Sequence, residues 1–117
     1  MTTTTVMRKQ LFINNAWQDA TGGKTLEVVN PATEEVIAEV ASAEQADVDA
    51  AVSAARAALD GPWGKLSARE RGRLIWKIGE KLMERADDIA RLETLHNGKP
   101  IFESRQIEVP AAAECFQ

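Results

Sequence analysis

The 117-residue chain holds one cysteine, Cys115, and one histidine, His96, and that scarcity removes several chemistries at once. A structural zinc site of the Cys/His kind draws on four such donors, so two residues cannot build one. A lone cysteine cannot close an internal disulfide, which agrees with a reducing, cytoplasmic setting. No stretch approaches the roughly 18 consecutive apolar residues that a membrane helix needs. The opening MTTTTVMRKQ puts no apolar core behind its positive charges, so residues 1–9 read as a disordered, frayed N-terminus and not as a signal or anchor. Excess basic charge is lacking too. Fourteen lysines and arginines face 18 aspartates and glutamates, for a net charge of -4; the basic residues are scattered, and neither nucleic acid nor membrane is expected as a partner. There is no glycine-rich phosphate loop, because Gly22-Gly23 reads as a hairpin turn and Gly61 and Gly64 bracket Pro62 and Trp63 without a strand before them. No internal repeat is present.

What remains is a composition of 44% hydrophobic and 27% charged residues, that of one water-soluble globular domain. Residues 10–40 read as a meander of three or four short strands. Leu11 to Ile13 and Ala16-Trp17 flank the turn pair Asn14-Asn15. Thr21-Gly22-Gly23-Lys24 makes a second turn into the β-branched run Thr25 to Val29. Asn30-Pro31 interrupts pairing, since proline has no N–H to give a ladder, and Val36 to Val40 resumes it with Val36, Ala38 and Val40 on one face.

At Ser42 the apolar period lengthens from two to about 3.6. Ser42 and Gln45 have the spacing of a capping box, and Val48, Ala51, Val52, Ala55 and Leu59 form one stripe with Asp47, Asp49, Ser53 and Arg56 on the solvated remainder. Gly61-Pro62-Trp63-Gly64 ends this helix. Ser67 and Glu70 form a second, stronger capping box, followed by Leu74, Ile75, Ile78, Leu82 and Ala86 on the inward face. Arg73, Lys77, Glu80, Lys81 and Glu84 form the outer face, with i,i+3 and i,i+4 ion pairs. Asp87 can cap a continuation through Leu95, and HNGKP is a stop signal in which Gly98 takes the left-handed position and Pro100 follows. Residues 101–117 begin a further helix without a terminating cap, which suggests a fragment.

Candidate site residues are few. Cys115 could act as a nucleophile with His96 as its base, but its neighbours Ala111, Ala112, Ala113 and Phe116 make it a small packing residue. His96, in the last turn of a helix, suits a capping role. Trp17, Trp63 and Trp76 read as core and hinge packing before they read as a ligand-stacking wall, and Lys99 as a solvated charge. No residue is assigned a catalytic, cofactor-binding or metal-binding role.

Taken together and in order, LFINNAWQDA, VVNPATEEVIAEV, DVDAAVSAARAAL, WGKLSARERGRLIWKIGEKLMERADDIARLETLHNGKP and EVPAAAECF resemble the N-terminal portion of the NAD(P)-dependent aldehyde dehydrogenases, from about Gln10 to Gln117. The chain is similar to bacterial betaine and phenylacetaldehyde members. The resemblance implies an α/β fold: an N-terminal β-hairpin or meander and amphipathic helices, part of a Rossmann-like cofactor domain whose main sheet is not in this chain. It implies oxidation of an aldehyde to a carboxylic acid with NAD or NADP, through a cysteine thiohemiacetal and thioester, with a glutamate assisting hydrolysis. It also implies that the catalytic cysteine, that glutamate and the nucleotide motifs lie outside these residues. Cys115 matches a packing position of the family, and residues 10–117 are an incomplete segment, inactive alone. Its implied partners are an aldehyde substrate, the rest of its own domain and, when complete, further copies in a homodimer or homotetramer. The competing reading is a free-standing, non-catalytic binding or assembly module built on the same unit.

Some relatives bind a monovalent cation through the carbonyl preceding Asn-Pro and an aspartate in a DNGKP motif. Those positions are Val29 and His96 here. An imidazole is a poor ligand for a hard cation that prefers oxygen, so the expectation is a weakened or absent site. Titration with potassium or sodium should show no tight binding; tight binding that His96→Ala abolishes would overturn this.

Overall fold

The computed structural model describes residues 7–117; the first six residues of the expected frayed terminus lie outside that range. Its last three do not fray. Met7–Lys9 (β1) form a strand that pairs in parallel with Val36–Ala41 (β5), Met7 opposite Ala38 and Lys9 opposite Val40. Parallel pairing joins residues far apart in sequence, so no local turn signal announces it.

The chain divides into two compact units. One takes in the described residues up to Val29 together with Glu34–Lys65; the other comprises Asn30–Thr33 and Leu66–Gln117. In the first, Leu11–Ile13 (β2) and Ala16–Gln18 (β3) form the expected antiparallel hairpin. Its two-residue turn holds Asn14 and Asn15 at φ 51° and 61°, the left-handed geometry that matches strand twist and that asparagine tolerates best after glycine. Thr25–Val29 (β4) pairs antiparallel with β5 through a bulge at Val28/Val29. The strands are therefore not one meander. They make a two-stranded sheet and a three-stranded sheet of order β1-β5-β4, and the Gly22-Gly23 turn, with Gly23 at φ 64°, passes from one sheet to the other and closes no hairpin.

Helix α1, Gln45–Asp60, starts two residues later than the Ser42 box suggests, with its N-cap at Glu44. Ser42 donates its N–H to the Lys24 carbonyl at 2.9 Å, which extends the β4–β5 pairing and takes the N–H that Gln45 would accept in a capping box. Glu44 caps the helix instead, and Asp47 accepts the Glu44 N–H at 2.9 Å. The chain ends α1 at Gly61 and adds the short turn Pro62–Lys65 (α2).

In the second unit, Ala68–Glu84 (α3) begins at the Ser67–Glu70 box as expected: Glu70 N–H donates to the Ser67 hydroxyl at 3.3 Å, and Ser67 N–H to the Glu70 carboxylate at 2.8 Å. On its outer face Lys81 meets Glu84 at 2.5 Å. The break before Ala86–Asn97 (α4) falls at Arg85, so Ala86 belongs to the second helix and Asp87 is not its cap. Gly98, at φ 76°, ends α4 as the stop signal requires. Residues 101–114 are continuously helical: a turn at Ile101–Glu103 (α5), a π-helical segment Ser104–Glu108, and Val109–Glu114 (α6). The wide segment accounts for Pro110. A proline ring collides with the carbonyl four residues back in a regular helix, and a π-turn just ahead of it shifts that carbonyl aside.

The enclosed apolar positions are small: Ala20 and Ala38 in the first unit, Ala86, Ala90, Val109 and Ala113 in the second. Leu74, Ile75 and Ile78, expected on the inward face of α3, remain exposed, as do Val48, Val52 and Leu59 on α1. The residue α3 buries is Gly79. A Cβ there would lie 2.6 Å from the Ala113 carbonyl oxygen of α6, a distance that forces backbone to move. Gly72, on the same helix, faces open space.

These two glycines should answer alanine with opposite signs. Gly72→Ala should stabilise α3 by up to about 1 kcal/mol through helix propensity, while at Gly79→Ala the clash outweighs that gain and lowers the urea midpoint. Equal stabilisation by both would show that α3 and α6 do not approach this closely.

Candidate functional site

Polar groups are gathered at two places, one in each unit. In the first unit the buried group is Asp47, only 2% exposed, although its position in the helical pattern placed it on the solvated side. Its carboxylate accepts the Thr21 N–H at 3.1 and 3.2 Å, the Thr21 hydroxyl at 2.6 Å and the Glu44 N–H at 2.9 Å. The Glu44 N–H and the Thr21 hydroxyl hold this carboxyl below the usual aspartate range, because each donor favours the charged form. Glu44 in turn meets Lys24 at 2.9 Å. Nearby is a depression of about 190 Å³ whose lining includes Lys9, Asp19, Lys24 and Glu39. It is smaller than the ~300 Å³ at which ligand pockets begin, and its charges are of both signs. The arrangement clamps a turn to a helix start.

In the second unit Lys99 is not the free solvated charge that its place after Gly98 suggested. Its ammonium meets Glu108 at 2.8 Å, which raises its pKa above the ordinary lysine value. The fully buried Ser104 shares a hydrogen bond with Thr94 at 3.1 Å, and Arg105 pairs with Asp87, holding that carboxyl below its usual range. The last two contacts fasten the 98–108 stretch to α4, and the first ties that stretch to itself. Spacing signalled none of the three, since each joins residues nine to 18 positions apart.

His96 is exposed in the last turn of α4, and the cap it was expected to supply is made by the backbone: Gly98 N–H donates to the Thr94 carbonyl at 2.9 Å. Cys115 is exposed at the end of α6 and not packed. Among the described residues no hydrogen bond joins it to His96. The tryptophans are likewise not core: Trp17 is 66% exposed and stacks on Phe12 at 4.8 Å with a 49° tilt, while Trp63 and Trp76 are open to solvent.

Neither Gly22 nor Gly98 leaves open space beside its backbone. A dinucleotide site needs glycines that let backbone approach a pyrophosphate. Here the space beside Gly22 is filled by the Glu44 carboxylate, 2.5 Å from where a Cβ would stand, and that beside Gly98 by Pro31 at 3.1 Å. A carboxylate in the turn repels phosphate. Nor, among the described residues, do three or more His, Cys, Asp or Glu side chains converge as a metal would require.

The aldehyde dehydrogenase family profile matches residues 17–117. The chain belongs to that family. It is 48% identical to an aldehyde dehydrogenase of Alternaria alternata over 107 residues, 92% of this chain and 22% of that protein. To the 2-hydroxymuconic semialdehyde dehydrogenase of Pseudomonas sp. (strain CF600) it is 44% identical, covering 91% of this chain and 22% of the relative. Among solved structures, the NAD+ complex of the Bacillus cereus aldehyde dehydrogenase superposes with a TM-score of 0.90 at 42% identity, over 93% of this chain and 22% of that one. The chain thus spans under a quarter of the length of each of these three relatives. Its mixed α/β architecture, two small hairpins and then helices, is that of the matching part of these aldehyde dehydrogenases.

Acid should loosen this aldehyde dehydrogenase chain through its carboxylates. Asp47, Glu70 and Asp87 all have depressed pKa values when folded, so their stabilisation is complete above the ordinary carboxylate range near pH 4 and is lost as pH falls through the lower folded values. Asp47→Asn offers one acceptor oxygen where the carboxylate offers two. Urea midpoints measured across pH 2 to 6 (about that span) should be lower for this variant at the upper end and should converge with the parent at the lower end; parallel curves would mean that Asp47 is not coupled to folding.

Proposed function

We propose that residues 10–117 are the framework-bearing N-terminal part of an NAD(P)-dependent aldehyde dehydrogenase that oxidises an aldehyde to a carboxylic acid, and that this span contributes no catalytic, cofactor-binding or metal-binding residue of its own. The observation that carries the reading is the apolar surface left uncovered in a chain of this family. Leu74, Ile75 and Ile78 keep 43%, 40% and 44% of their surface exposed on one capped helix, α3. Contiguous apolar surface of that kind is normally covered by further protein, and the relatives carry several times this length of polypeptide.

The complete enzyme is proposed to be cytoplasmic and to form a homodimer or homotetramer. No helix among the described residues is long and apolar enough to cross a membrane. NAD or NADP and the aldehyde would be held by residues beyond this span, a reading supported by the filled space beside Gly22 and Gly98.

The 117-residue chain incubated with an aldehyde and NAD or NADP should generate no reduced nicotinamide. The same chain joined to the polypeptide that follows the matched region in a relative should do so and should melt at a higher temperature. Turnover by the 117 residues alone, or an unchanged melt on extension, would overturn the proposal.

A further inference from the structure

The end of α4 places an asparagine directly before a glycine, Asn97-Gly98, and the hydrogen bonds around that pair control a reaction of the chain with itself. Asn97 is exposed. Its side-chain oxygen accepts the Lys99 N–H at 2.8 Å, and its amide nitrogen donates to the Glu93 carboxylate at 2.5 Å. The Gly98 N–H donates to the Thr94 carbonyl at 2.9 Å. We propose that Asn97 is a spontaneous deamidation site of this protein, with its side-chain carbonyl activated by the Lys99 N–H and its nucleophile withheld by the cap of α4.

In the reaction the Gly98 nitrogen attacks Cγ of Asn97 and forms an N–C bond. The Cγ–Nδ2 bond breaks, and ammonia leaves with the amide nitrogen and the proton lost by Gly98. Water then adds to either carbonyl of the five-membered imide, leaving aspartate or isoaspartate. Three features of the fold act on these steps. Glycine after the asparagine leaves the attacking nitrogen without a side chain to obstruct closure. A backbone N–H aimed at Oδ1 stabilises the charge that develops there during attack, as donors in an oxyanion hole do. Against these, a nitrogen whose proton is held by Thr94 and whose residue sits in the left-handed cap cannot swing toward Cγ. The reaction waits on local opening of the last helical turn, the part of a helix that frays most readily.

The other asparagines provide internal comparisons. Asn30 precedes proline, which has no N–H to lose, and Asn14 and Asn15 precede residues with side chains. The product alters the cap. A carboxylate at position 97 stands beside Glu93 one turn earlier and at the negative end of the α4 dipole, unfavourable on both counts, while isoaspartate lengthens the backbone and breaks the Gly98-to-Thr94 bond.

The full chain is incubated in mildly alkaline buffer with urea, without additive, and with trimethylamine oxide, which strengthens folding; each sample is digested and the asparagine peptides are followed by mass spectrometry. Asn97 should convert before Asn14 and Asn15 in every sample, and its rate should rise about tenfold from the osmolyte to the urea sample, a protection of about 1.4 kcal/mol. Conversion of Asn14 or Asn15 ahead of Asn97 would overturn the site, and an Asn97 rate indifferent to urea and osmolyte would overturn the gate. Asn97→Gln, which needs a six-membered ring, should abolish the signal at this position.

Discussion

Nothing larger than valine forms the enclosed apolar interior among the described residues: Ala20 and Ala38 in one unit, Ala86, Ala90, Ala113 and Val109 in the other. Alanine contributes little transfer energy, so the elements are held by how closely their backbones approach and by the polar bonds that approach permits. Gly79 brings α3 within a hydrogen atom's reach of the Ala113 carbonyl on α6. Ser104, fully buried, is tolerable in such an interior because Thr94 supplies its partner. In the first unit the same economy puts a carboxylate where a leucine might stand, and Asp47 serves Thr21 and Glu44 together.

That carboxylate links two local structures that spacing alone keeps separate. The Gly22-Gly23 turn needs something to fix its direction, since two glycines cost more conformational entropy on ordering than any other pair. Thr21, just before it, gives both its N–H and its hydroxyl to Asp47, and Lys24, just after it, meets Glu44. The turn is thereby clamped from both sides to the first turn of α1. Glu44 and Asp47 also lie where the helix dipole favours negative charge, so the residues that start the helix are those that orient the strand pair before it.

Much of this was legible in the residues. The Asn14-Asn15 hairpin, the Ser67–Glu70 box and the Gly98 stop are local signals, each a few residues long, and each stands in the structure where its chemistry requires. The errors share a cause. The β1–β5 parallel pair, the burial of Asp47 and the Lys99–Glu108 pair all depend on residues distant in sequence, and periodicity carries no information about them. Ser42 shows the competition directly: its spacing to Gln45 is right for a cap, but a ladder bond to Lys24 had already taken its N–H. The aromatic and apolar residues misled differently. Leu74 and Ile78 have the spacing of inward-facing residues, and Trp17 and Trp76 read as packing, yet all four face solvent among the described residues.

That last discrepancy has an energetic reading. Leu74, Ile75 and Ile78 have already lost somewhat more than half of their exposed surface, so a covering layer would contribute on the order of 1 kcal/mol for each, from a full burial worth about 1.5–3 kcal/mol. A surface helix that is meant to stay wet would gain nothing from such residues, and α3 already has a charged face of its own at Arg73, Lys77 and Glu80. Two faces of opposite character on one capped helix describe an element with solvent on one side and protein on the other. The polar clamps can hold each unit in shape because they do not depend on that second side being filled, and the apolar stripe of α3 remains as a surface of the kind that further protein covers.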